Sequence, residues 1–181
     1  VILYHFQVPG ITGGFIGVDV FFVISGFVIT QLLERAFQKD SFRFRDFYAR
    51  RIRRLVPVFL LVSTVTFLMI SPFSIGDAYY IFAKSWMASL IGLSNLYYFN
   101  ELTQYFAPET LSLSLLHTWS LAVEEQFYLL WPASLYLAYR FGKGRNAHWP
   151  FRITLVATFA LSVYMASAHP AAAYYLLPAR L

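Results

Sequence analysis

Apolar runs of about twenty residues recur along this chain between short charged stretches, and that is the length at which a helix crosses a bilayer. Within lipid the backbone must hydrogen-bond to itself, so such runs are expected to be helical. The fold class that follows is all-α, a polytopic transmembrane helical bundle. Composition agrees: of 181 residues, 59% are hydrophobic and only 13% charged, and the mean hydropathy is +0.57. These values do not describe a soluble domain. With no cysteine in the chain, disulfides and thiolate metal sites are excluded. No histidine pair has the spacing of a zinc site, so no metal is expected.

About five spans are read in this chain, with more expected beyond it. Residues 1–8 form the outer end of a truncated first span, closed by the Pro9-Gly10 break. A second span covers 15–33, a third 55–69, a fourth 115–139 and a fifth 151–166. Between the second and third, residues 42–55 alternate aromatic and cationic side chains, as a helix lying in the headgroup interface would. Pro57 then falls in the first turn of the third span, where its missing N–H costs nothing. The segment from Glu34 to Arg54, with eight cations against three acids, accounts for the whole net charge of +5. By the positive-inside rule this loop is cytoplasmic, and so is the second basic loop around Arg140 and Lys143. An even number of crossings must separate the two, so residues 76–114 are read as an interfacial or re-entrant segment on the outer side. The chain begins on Val and stops just after Pro178-Ala179-Arg180, so residues 1–181 read as an incomplete transmembrane domain, with its first span truncated and later spans missing. The localisation expected from these spans is a membrane, multi-pass.

Charged groups at membrane depth cost on the order of 3 kcal/mol or more, which makes them functional candidates. Glu124 and Glu125 stand side by side at the head of an otherwise apolar run. If that run is helical, His117, Glu124 and Trp131 share one stripe, flanked by Ser120 and Gln126. These groups either do chemistry or pair with neighbouring helices to fix the packing. His5, at a span end beside a glycine turn, can act as a general base near neutral pH or simply bond a carbonyl. Asp19 pairs with an arginine or caps the glycine turn. Ser25-Gly26 within bulky neighbours allows close helix approach or the passage of an elongated ligand. Arg50/Arg53 and Arg51/Arg54 each fall on one helical face, presenting guanidinium forks suited to phosphates. A nucleic-acid role is excluded because both flanks of the cluster run straight into membrane helices.

Four motifs in order resemble the membrane-bound acyltransferase family 3, the O-acetyltransferases of bacterial envelope polysaccharides. They are Tyr4-His5-Phe6; Phe21-Phe22-Val23-Ile24-Ser25-Gly26-Phe27; Arg50-Arg51-Ile52-Arg53-Arg54; and His117-Thr118-Trp119-Ser120 continuing to Glu124-Glu125-Gln126-Phe127-Tyr128. The resemblance implies transfer of an acyl group, usually acetyl, from cytoplasmic acyl-CoA to a hydroxyl of an envelope or lipid-linked glycan. It implies catalytic roles for His5 and for Glu124 or Glu125, and coenzyme binding by Arg50, Arg51, Arg53 and Arg54. Asp19, Phe21, Phe22, Ser25, Gly26, Phe27, His117, Trp119 and Ser120 are then expected along the substrate channel. The partners implied are the lipid bilayer, acyl-CoA as donor and a glycan acceptor such as O-antigen, peptidoglycan or exopolysaccharide. Tyr105 to Thr110 looks like the branch whose members often carry a C-terminal SGNH esterase-like domain. The alternative function is a transporter or flippase-like protein for an anionic amphiphile. Transporters commonly show internal repeats, and none is visible here.

Overall fold

The computed structural model describes the chain except for residues 1, 7, 11, 15, 71, 73–75, 103–112, 142–148 and 181. Every regular element among the described residues is helical. The order is α1 (Ile2–His5), α2 (Ile16–Gln38), α3 (Phe44–Ile70), α4 (Asp77–Leu90), α5 (Ser94–Leu102), α6 (Thr118–Phe141), α7 (Trp149–Ala168) and α8 (Pro170–Tyr175), then a 3-10 turn at Leu177–Ala179.

Two helices, α2 and α3, are long and apolar enough to cross a membrane. With 24 residues, α6 has the length, but Glu124, Glu125 and Gln126 dilute its apolar character. The apolar part of α7, Arg152–Ala168, is shorter. Five crossings therefore require α6, α7 and the run at 1–8 in addition, and of that run α1 is a single turn of four residues.

One expectation is corrected by the basic segment. Residues 42–55 do not form a separate interfacial helix, because α3 runs unbroken for 27 residues with Pro57 inside it. A proline in a helix interior removes one i→i−4 hydrogen bond, a defect that membrane helices absorb. The polar middle of the chain also takes a definite form. Residues 76–99 hold two short helices, α4 with 14 residues and the start of α5 with 9, separated by a break at Ile91-Gly92-Leu93. Neither approaches the roughly twenty residues needed to cross. Gly92 turns the chain at a φ of +68°, a left-handed conformation that glycine adopts without strain.

The chain divides into two compact units, residues 1–42 with 130–147 and residues 43–129 with 148–181. In the first, Ile29, Leu33 and Phe37 are buried and recur every four residues along one face of α2. Phe37 stacks on Tyr139 at 5.5 Å between ring centroids and meets Phe42 edge-on at 4.8 Å. The Trp131 indole donates to the Thr30 hydroxyl at 2.8 Å, and Thr30 donates in turn to the Gly26 carbonyl at 2.7 Å. In the second unit, Tyr98, Asn95, Ser94 and Leu115 are fully buried, and Trp119, Ala122, Val123 and Tyr128 are buried as well. Small hydroxyl residues close this core: Ser89 and Thr118 share a hydrogen bond at 2.8 Å, and Ser94 donates to the Thr118 carbonyl at 2.8 Å. Thr118 is thereby held to both α4 and α5.

Candidate functional site: a cavity with a charged wall

The second unit contains a cavity of about 400 Å³, within the range of small-ligand sites. One wall is a helical stripe of α3, Tyr48, Arg51, Ile52, Leu55 and Val56. The opposite wall is Glu125, Gln126, Tyr128 and Leu129 of α6, and the α4–α5 break supplies Leu90, Ile91, Gly92 and Leu93. Aliphatic side chains outnumber polar ones, so the few polar groups act in a partly dry setting where their interactions are stronger than in water.

The two adjacent carboxylates point to different surroundings. Glu124 is only 6% exposed and accepts a hydrogen bond from the Tyr128 hydroxyl one turn on. The Arg51 guanidinium lies 4.1 Å from the centre of the Tyr128 ring, a cation–π contact, and is within electrostatic reach of Glu124. Arg51, Tyr128 and Glu124 thus form one linked charge array. Glu125, by contrast, lines the cavity. Its carboxylate comes so close to Gly92 that a β-carbon there would sit 2.8 Å from Oε2.

Gln126 anchors the break to α6. Its amide donates to the Gly92 carbonyl at 3.0 Å and to the Asn95 side-chain oxygen at 2.9 Å. Asn95 also donates to the Tyr175 carbonyl at 3.0 Å. On the far side, the Tyr48 hydroxyl donates to the Leu129 carbonyl at 3.1 Å, tying α3 to α6. The cavity is therefore held by hydrogen bonds from both sides.

Of the four arginines expected to grip a phosphate, Arg51 lines this cavity, while Arg50, Arg53 and Arg54 are exposed. His5 ends α1 in the first unit, and its side chain lies outside the described residues. In α2, Asp19 lies in the first turn, Phe21 and Phe27 are exposed, and Phe22, Ser25 and Gly26 are half-buried. His117 is exposed just before α6, and its carbonyl accepts from the Ser120 hydroxyl at 3.1 Å. Trp119 is buried against Tyr174 and Tyr175. Sequence reasoning assigned no role to Tyr48, Gly92 or Asn95. The recurrence of 48, 51, 52, 55 and 56 on one helical face would have pointed to Tyr48. Gly92 and Asn95 leave no comparable periodic trace.

Two helices long and apolar enough to cross a membrane and a cavity lined by charged groups are the features that a ligand-handling membrane protein would need. A family model described as an acyltransferase domain matches residues 1–177. The chain belongs to that family, acyltransferase family 3. It is similar to YrhL of Bacillus subtilis, 39% identical over 80% of this chain and 23% of that protein. It is likewise similar to the peptidoglycan O-acetyltransferase OatA of Listeria monocytogenes, 35% identical over 97% of this chain and 29% of the relative. The O-acetyltransferase OatA of Staphylococcus aureus is 37% identical over 81% of this chain and 24% of its own length. The chain thus spans less than a third of the length of these curated relatives. No solved structure matches it.

Proposed function

We propose that the chain is part of an integral, multi-pass membrane O-acetyltransferase of the bacterial inner membrane. It carries an acetyl group from cytoplasmic acetyl-CoA to a hydroxyl of a cell-wall glycan, peptidoglycan by the names of its relatives. The observation that carries this reading is the cavity in which Arg51, Glu125, Gln126 and Tyr128 converge within a chain of acyltransferase ancestry. In this reading α6 and α7 cross the membrane as well as α2 and α3, and residues 1–181 are an incomplete part of the transmembrane domain. A C-terminal SGNH domain in the full chain would fit the greater length of the relatives.

The donor's phosphates are held by Arg50, Arg51, Arg53 and Arg54, whose guanidiniums are suited to paired phosphate oxygens. The apolar stripe of Ile52, Leu55 and Val56 then accommodates the acyl-bearing arm. His5 takes the proton of the acceptor hydroxyl. The hydroxyl oxygen forms a bond to the acetyl carbonyl carbon, the thioester C–S bond breaks, and the coenzyme leaves as its thiol. Glu125 is the carboxylate available to orient an imidazole or a hydroxyl in the cavity, whereas Glu124 fixes Arg51 and Tyr128. Asp19, Phe21, Phe22, Ser25, Gly26 and Phe27 in the first unit are assigned to the passage of the acceptor, as are His117, Trp119 and Ser120 in the second.

The test is acetate content. The full-length parent protein, expressed in a host lacking envelope O-acetylation, is expected to add base-labile acetate to purified wall glycan. His5→Ala at equal membrane levels is expected to lose at least about a hundredfold of it, the scale of a lost general base. Equal acetate in both strains would remove His5 from the chemistry.

A further inference from the structure

A second cavity, of about 300 Å³, lies at the end of α7 and is lined by Ser162, Ala166, Pro170, Ala173, Tyr174, Ala179 and Arg180. Its small side chains leave room against one aromatic face and one cation. Tyr174 is 43% exposed, and the buried Trp119 ring backs it at 4.6 Å between centroids. Tyr175 stands edge-on to Tyr174 at 4.9 Å. The Arg180 guanidinium lies 5.1 Å from the Tyr174 ring centre and 5.8 Å from that of Trp119, and its Nε donates to the Tyr174 carbonyl at 3.2 Å. Ring and guanidinium are thus fixed relative to each other before any ligand arrives, which lowers the ordering cost of binding.

We infer that this cavity is a saccharide subsite, in which one pyranose ring of the acceptor glycan packs on the Tyr174 face and Arg180 bonds its oxygens. A pyranose presents an apolar C–H face and a rim of hydroxyls, so it matches an aromatic plane flanked by a planar multi-donor group. A phospholipid headgroup or a nucleotide is disfavoured, since sites for those are built from clusters of cations and Arg180 is the one cation lining this cavity among the described residues. The inference rests on the acyl-transfer reading for its role, because it supplies that reaction with its acceptor. The wiring supports the same role. Trp119, behind this cavity, precedes Glu125 of the charged cavity by six residues of α6, a rise of about 9 Å. Asn95 bonds both Gln126, which lines the charged cavity, and the carbonyl of Tyr175, next to Tyr174. A single buried amide therefore holds both cavities in register.

The experiment measures binding of a soluble oligomer of β-1,4-linked N-acetylglucosamine to detergent-solubilised full-length parent protein, by saturation-transfer NMR. Acetyl transfer to the same oligomer is assayed in parallel. Tyr174→Ala and Arg180→Gln are each expected to weaken oligomer binding about tenfold or more, while Tyr174→Phe, which keeps the ring face, stays within about twofold of the parent. An oligomer that does not bind the parent, or binds Tyr174→Ala and Arg180→Gln as it binds the parent, overturns the subsite. Binding of glycerol phosphate with the same dependence on Arg180, and none of the oligomer, overturns it in favour of a phosphate site. Oligomer binding that depends on Tyr174, without acetyl transfer by the parent, keeps the subsite and counts against the acyl-transfer reading. Transfer without Tyr174-dependent binding does the reverse.

Discussion

Adjacent positions in a helix point about 100° apart, so Glu124 and Glu125 were bound to face different surroundings. Glu124 is buried against Tyr128 and Arg51, and Glu125 meets the cavity and Gly92. Neutralising the two should therefore have separable effects. Glu124→Gln removes the charge that balances a partly dry guanidinium, and is expected to lower stability by about 1–3 kcal/mol. Glu125→Gln is expected to stay within about 0.5 kcal/mol of the parent in stability. Its rate of transfer is nevertheless expected to fall about a hundredfold, the scale of a misplaced reacting group. Thermal unfolding in detergent and acetate transfer, measured on both variants, would check this; the reverse pattern would exchange the two roles. That two carboxylates in an apolar run are costly and need partners was legible from the sequence. Which member faces the cavity was not, because that depends on where α3 and the α4–α5 break lie around α6.

At the scale of elements, the aromatic–cationic alternation of residues 42–55 and the polar character of residues 76–99 could both be read from residue type and spacing, whereas the placing of Arg51 on the same face as Tyr48 and Leu55 could not. The interruption at Gly92 could not, because an isolated glycine signals a turn, a packing contact or nothing. Here it does two things: it adopts a φ of +68°, and it leaves space for the Glu125 carboxylate. Gly92→Ala would set a methyl group 2.8 Å from Oε2 on a backbone that L side chains resist. The expected result is a loss of about 1–3 kcal/mol in stability with a fall in transfer rate, since Glu125 must move to make room. An alanine variant that melts and transfers like the parent would mean that the break is not held as described. The continuity of α3 through Pro57 was also missed, because a proline normally marks a helix start and the aromatic–cationic alternation before it suggested a separate element.

For the whole molecule, the helical class was legible because hydropathy and length alone impose it, but the number of crossings was not. Among the described residues, only α2 and α3 meet the length and apolarity of a span unaided, and α6 spends part of its apolar face on carboxylates. A chain without cysteine suits a direct test. Single cysteines at Asp40→Cys, Asn146→Cys and His169→Cys, placed in the full-length protein with any other cysteines replaced, would be probed with a membrane-impermeant maleimide. The arrangement proposed expects the first two to react only from the cytoplasmic side and the third only from outside. Reaction of Asn146→Cys from outside would break the even count of crossings between the two basic loops.

The unbroken course of α3 has a further consequence. A helix of 27 residues is about 40 Å long, more than the roughly 30 Å of hydrocarbon it would cross. Its arginine-bearing turns and its cavity-facing stripe therefore belong to one rod. A donor gripped by its phosphates at the surface end would hang its acyl group at a depth fixed by that rod, so α3 would serve as a ruler. Lengthening the helix by one residue between Arg54 and Leu55 would shift the arginines against Leu55 and Val56 by about 1.5 Å and rotate them by about 100°, changing both depth and facing.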